Sequence, residues 1–333
     1  MSADAEGVAG TAGDGGAVGP LAIAGQPDAV RLPAAAVGQQ AATTADAGAD
    51  HRPARAAAVR RVGRRRRLPN RQVLVGGALV LVTICVALVS LVWTPRPPQA
   101  QDLSLSLLPP FWMDGARPGF PFGTDLNGRD LLSQIMAGAQ ASLFVGVASV
   151  VVGGTIGLLL GLLAGYFGGW IEALVMRLVD IQLSLPGVLL AIAILAATGK
   201  GLLNVVLVLG FVSWVQYARI VRASTLGVRA QEYVLGARAL GANDARIIRR
   251  HILPNILPPI LVVATINVSS NILAEAALSY LGVGVPLSTV TWGGMLNEGK
   301  NVFELAWWNA LWPGLAILLV VFGINLLGDG LSE

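Results

Sequence analysis

Apolar and polar positions alternate in long blocks along this chain. Strongly hydrophobic runs with at most one charged residue each fall at residues 73–93, 141–165, 178–198, 202–219, 256–281 and 309–328. Each reaches about the 20 residues that carry a helix across a hydrocarbon core of about 30 Å. The pattern predicts six membrane-spanning helices. A basic interruption between the later runs occupies residues 232–255, EYVLGARALGANDARIIRRHILPN. It reads as two short helices broken at Gly241, with Asn243 or Asp244 capping the second. Leu235, Leu240, Ile247, Ile248 and Ile252 give it an apolar side, and Arg238, Arg246, Arg249, Arg250 and His251 keep that side from sinking into lipid. Two readings stay open on the residues alone: a surface bound by something outside the bilayer, or a helix lying on the headgroups.

Composition supports the membrane reading. Hydrophobic residues make up 54% and charged residues 13% of the 333, and the mean hydropathy is +0.68, outside the range of soluble domains. The basic balance does not point to nucleic acid, because the arginines sit in blocks beside apolar spans. Arg60, Arg61, Arg64, Arg65, Arg66, Arg67 and Arg71 precede the first span and place the N-terminus in the cytoplasm. With six spans the inner segments hold 18 Lys and Arg and the outer ones 5, as an N-in, C-in arrangement requires. Trp93, Trp307, Trp308 and Trp312 fall near outer span ends, and Tyr166, Trp170, Trp214 and Tyr217 near inner ones, where amphipathic rings prefer to sit.

The expected organisation follows. Residues 1–72 form a disordered cytoplasmic arm, too poor in apolar side chains to offset its ordering entropy, that ends in the basic block. Residues 73–93 are the first span, and 94–140 an extracytoplasmic segment. Residues 141–330 hold five further spans, with a cytoplasmic loop at 220–255. Cys85 has no partner in the chain, and His51 and His251 are the only histidines, so neither a disulfide framework nor a metal centre is expected.

Within the spans, Gly153, Gly157, Gly161 and Gly165 recur every fourth residue and form a smooth stripe for close helix packing. Asn267, Asn271, Glu275 and Ser279 have the same spacing on the fifth span. Polar groups at that depth face a water-filled route, a seam with another membrane protein, or bonds inside the bundle. Residues 125–138 read as an amphipathic helix on the outer surface, and Arg177 and Asp180 as a local ion pair. No phosphate-binding loop of the G-x-x-x-x-G-K-[ST] type occurs: Gly199-Lys200 is preceded by Ile194 and followed by Gly201 at the deciding positions. The chain is therefore expected to bind no ATP, and no nucleophile–histidine grouping suggests an enzyme.

The 232–255 segment resembles the cytoplasmic "EAA" loop of bacterial ABC-importer permeases. Leu235-Gly236-Ala237 stands where that family writes Glu-Ala-Ala, Gly241 on the loop glycine and Leu253-Pro254 on the closing Leu-Pro. The string Phe122-Gly123-Thr124-Asp125-Leu126-Asn127-Gly128-Arg129-Asp130-Leu131-Leu132-Ser133 is similar to the segment after the first span in permeases of the dipeptide/oligopeptide/nickel branch. The resemblance implies a six-helix type I importer permease in the bacterial inner membrane, working with a second related permease, two cytoplasmic ATPases that bind ATP and Mg, and an extracytoplasmic solute-binding protein. It assigns ATPase docking to Leu235, Gly236, Ala237, Arg238, Leu240, Gly241 and Asp244. Peptides are the first cargo it suggests, with nickel or another small solute as alternatives. An ion-driven carrier and a membrane scaffold are the competing classes.

Overall fold

The third apolar run is not a single rod. The computed structural model describes residues 71–286 and 288–332, and there α3 (Gly169–Leu183) and α4 (Gly187–Thr198) meet at 88°. Pro186 is the cause: it lacks an N–H, and its ring pushes Leu185 out of helical geometry. The expected straight span at 178–198 is therefore corrected to a bent pair that begins nine residues earlier.

Among the described residues five helices are long and apolar enough to cross a membrane, and the bent pair counted as one span makes six. In order they are α1 (Arg71–Val92), α2 (Leu131–Phe167), the α3–α4 pair, α5 (Leu202–Arg229), a continuous helical stretch Asp244–Tyr280, and α10 (Trp308–Ser332). That stretch comprises α7 (Asp244–Ile247), a π-helical turn (Ile248–Ile252) and α8 (Leu253–Tyr280). The described residues also include two shorter α-helices, α6 (Glu232–Ala239) on the inner side and α9 (Trp292–Lys300) on the outer, and a single 3-10 turn at Leu103–Leu105. Large aliphatic side chains such as Leu81, Leu88, Leu189 and Leu318 point outward, as lipid contact allows. The expectations for the N-terminal arm and basic block concern residues 1–70, which lie outside the described residues.

The glycine stripe sets the tightest seam. A Cβ on Gly153 would lie 2.6 Å from Gly210 O, on Gly157 2.5 Å from Trp214 O, on Gly161 2.6 Å from Ala218 O, and on Gly165 2.8 Å from Thr225 Cβ. All four targets belong to α5, so α2 and α5 touch nearly backbone to backbone over three turns. Trp214 and Tyr217 are buried along this seam, which corrects their expected place in the interfacial belt. A second small-residue contact joins α1 to α10: a Cβ on Gly76 would lie 2.7 Å from Gly323 O.

On the outer side the expected surface helix at 125–138 does not exist as a separate element. Helix α2 starts at Leu131 and runs unbroken for 37 residues. Asp130 caps it, accepting from Ser133 N at 3.0 Å. Gly138 does not break it, because its bare face receives Trp292 of α9, whose indole donates to Ile135 O. The expected Arg177–Asp180 pair is likewise absent among the described residues, and Glu172 binds Arg222 of α5 instead.

Candidate functional site

Helix α6 ends at Ala239, and Gly241 follows with φ +80, a conformation that costs glycine little. Asn243 then caps α7, its side chain accepting from Arg246 N at 2.9 Å. Val234, Ile247, Ile252 and Ile256 are buried together with Tyr166 and Tyr217, so the apolar side of the turn is welded to the inner ends of α2 and α5. Polar contacts finish the brace. The Tyr166 hydroxyl donates to Asp244 Oδ1 at 2.5 Å and accepts from Arg238 Nη2 at 3.0 Å. The Arg238 and Arg229 guanidinium groups stand 5.5 and 5.9 Å from the Tyr166 ring.

This brace sorts the seven residues singled out on the loop. Arg238 and Asp244 are tied to Tyr166 inside the chain. Leu240 is 91% exposed and Leu235 52%. Gly236 and Gly241 have open space where a Cβ would stand, while Ala237 is partly covered. The result is a stiff turn with an apolar, glycine-notched edge facing away from the bundle. Sequence reasoning placed Tyr166 only among the interfacial aromatics and missed its bracing role. Its partners lie 72 and 78 residues away, and no local spacing signals them.

The outer string 122–133 folds into a compact turn held by buried charge. Asp125 accepts from Asn127 N and Arg129 N through Oδ1, each at 2.9 Å. Its Oδ2 accepts from Arg129 Nε at 2.5 Å and Gln134 Nε2 at 2.6 Å. Arg129 also pairs with Glu298 of α9. Burial pushes the Glu298 carboxyl above its ordinary value; Arg129 opposes that shift and Asp125 adds to it. Gly128 has φ +72, and a Cβ there would collide with the backbone carbonyl of Asp102.

The polar face of α8 divides in two. Glu275 is 0% exposed; it accepts from Ser279 Oγ at 2.8 Å and from Ser142 Oγ of α2 at 3.4 Å. Ser279 Oγ also accepts from Val285 N. These two face the chain's own bundle, the last of the three settings expected for this face. Asn267 and Asn271 instead open on a cavity of about 350 Å³ beneath the α3–α4 bend, bounded also by Gln182, Ser213, Gln216 and Ser270. Gln182 fixes the roof. It donates to Phe211 O and Val212 O and accepts from the Trp214 indole at 2.7 Å.

Three comparisons bear on this arrangement. Residues 157–333 match the family model described as a binding-protein-dependent transport system inner membrane component. The di/tripeptide transport system permease protein DppC of Pseudomonas aeruginosa is 43% identical over 259 residues, 78% of this chain and 86% of that protein. The glutathione transport system permease protein GsiD of Escherichia coli is 45% identical over 212 residues, 64% and 70% of the two chains. A chain of the MetNI methionine ABC transporter, solved in inward-facing form, has the same fold, with a TM-score of 0.50 over 59% of this chain and 93% of that one at 22% identity. A bent six-crossing bundle with a braced inner turn thus meets a family model over more than half its length: the chain belongs to the inner-membrane permease components of binding-protein-dependent ABC importers.

Proposed function

We propose that this chain forms one transmembrane half of an ATP-driven importer of short peptides, and that its 232–252 turn is the handle by which a cytoplasmic ATPase moves it. The chain is the permease component and not the ATPase; ATP is bound by partner subunits. That membership sets aside the ion-driven carrier and the scaffold. The cargo reading draws on the relatives, whose names give di/tripeptide and glutathione transport. A second related permease, two ATPases and a solute-binding protein complete the proposed assembly.

One observation carries the handle. Leu235, Gly236, Leu240 and Gly241 present an uncovered apolar edge on a turn whose other side is packed and bonded to α2 and α5. Exposed leucines beside bare glycines suit a cleft in another protein better than water. A push on a stiff turn reaches the spans as a rigid-body shift, the motion alternating access needs. Reconstitution with candidate ATPases and a binding protein tests the reading. Peptide-loaded binding protein should stimulate ATP hydrolysis, and Gly241→Trp should abolish uptake while the complex still reaches the membrane. Wild-type uptake by that variant removes the handle. Stimulation by nickel-loaded protein alone removes the peptide cargo.

A further inference from the structure

Helix α5 is covered by α2, α3 and α8 on all but one face. Trp214 and Ala218 pack on the glycine stripe of α2, Val215 is buried with Val179 of α3, and Tyr217 is buried with Ile256 of α8. The remaining face is a stripe at helical spacing, Val212, Gln216, Arg219 and Ala223, and Gln216, Arg219 and Ala223 are exposed. Val212 and Gln216 border the cavity under the α3–α4 bend. The open face therefore runs inward from that cavity to Arg219.

Arg219 is the charge on this face. It stands about 25 Å inward of Leu202 at 1.5 Å per residue, inside a hydrocarbon core of about 30 Å. The neighbouring cations are engaged: Arg222 pairs with Glu172, and Arg229 and Arg238 stand against the Tyr166 ring. Among the described residues Arg219 forms no ion pair. Nor does α3 supply an acid, because Glu172 is taken and Asp180 lies about half a turn from Gln182, on the far side of the helix from the cavity. A guanidinium without a partner at that depth marks a hydrated route and a place for an anion.

Resting on the importer reading, we infer that Arg219 receives the C-terminal carboxylate of a peptide passing from the cavity toward the cytoplasm. The planar guanidinium matches a carboxylate with two parallel hydrogen bonds. That carboxylate is the anionic group every linear peptide carries, whatever its side chains. No Asp, Glu, Lys, Arg or His borders the cavity itself, so the terminal charge meets its first counter-charge at Arg219. One exposed ion pair is weak, and a contact on an exit route has to let its ligand leave. The same positive charge repels a divalent metal ion, which sets peptide apart from metal cargo.

The test uses the assembled complex in a Cys85→Ser background with Ala223→Cys, one turn inward of Arg219 on the same face. Trialanine should protect that thiol from maleimide, and half-protection should need about fivefold less trialanine than trialanine amide, the effect of an exposed ion pair. Arg219→Gln should erase the difference and Arg219→Lys should keep most of it. Equal potency of the two compounds, a difference that survives Arg219→Gln, or no protection by trialanine overturns the inference. In reconstituted vesicles Arg219→Gln should lower trialanine uptake severalfold while stimulated ATP hydrolysis and the amount of complex in the membrane stay near wild type. Unchanged uptake overturns the inference. So does a fall in the amount of complex, which assigns the arginine to headgroup phosphates or to the seam with a second permease. A wild-type complex in which no peptide-loaded binding protein stimulates hydrolysis fails at the importer reading itself, and the carboxylate site falls with it.

Discussion

Glu298 shows how much a single side chain depends on contacts far away in sequence. Its partner Arg129 is 169 residues distant, and neither position stands out in the hydropathy pattern. The 122–133 string was recognisable as a motif, but its work as a turn clasped by Asp125, Gln134 and α9 emerges only from the fold. Burial holds the Glu298 carboxyl above its ordinary 4.5. The neutral form is thus favoured in the folded state, so its contribution is fully present below 4.5 and is lost as pH rises through the raised value. Glu298→Gln should flatten that part of the stability profile, seen as a smaller drop in thermal midpoint across this window for the purified complex. A drop equal to that of wild type would mean the carboxyl is not buried as described. Tyr166 is the inner-side counterpart, and Tyr166→Phe deletes both hydroxyl bonds without changing shape. We expect the turn to loosen by about 1–2 kcal/mol, with ATP hydrolysis retained and uptake per ATP reduced. Unaltered coupling would show that the buried aliphatic contacts suffice.

At the level of helices, the hydropathy pattern located five of the six crossings, because length and scarcity of charge decide them. Their ends differ: α2 starts ten residues before the expected run, α5 ends ten residues after it, and the Asp244–Tyr280 stretch begins twelve residues early. The turn at Gly241 and the cap at Asn243 were also legible, since both rest on local chemistry. Two things were not. The start of α2 at Leu131 was hidden by polar neighbours whose partners lie in other elements. The break at Pro186 was hidden because an apolar run carries no sign of direction. The four-residue glycine period was readable, but its target was not, and α5 could be identified only in three dimensions. That target supports a paired prediction. Gly157→Ala places a methyl group 2.5 Å from Trp214 O, whereas Gly154→Ala meets nothing nearer than Tyr217 at 3.8 Å. The first should destabilise the α2–α5 seam by about 1–3 kcal/mol and the second should be near neutral, measured as thermal midpoints in detergent. Equal effects would argue against a backbone-to-backbone seam.

For the molecule as a whole, the kink between α3 and α4 sets a condition on its surroundings. Fifteen and twelve residues span only about 22 and 18 Å, so neither rod crosses the hydrocarbon alone. Residues 183–186 at the elbow are exposed, and although Ser184 N and Leu185 N still donate to Asp180 O and Gln182 O, Pro186 has no N–H and the helical ladder is interrupted there. Hydrocarbon tails cannot satisfy peptide groups left outside a ladder, and irregular backbone at that depth persists only against protein or water. An isolated copy surrounded by acyl chains would therefore carry a raw edge, a cue by which quality-control proteases could recognise an orphan. Pulse–chase in cells should find this chain short-lived when made alone and long-lived when the rest of its operating complex is made beside it. Its folding would then be finished by company, with the elbow serving both as part of the machine and as the tag that condemns unassembled copies.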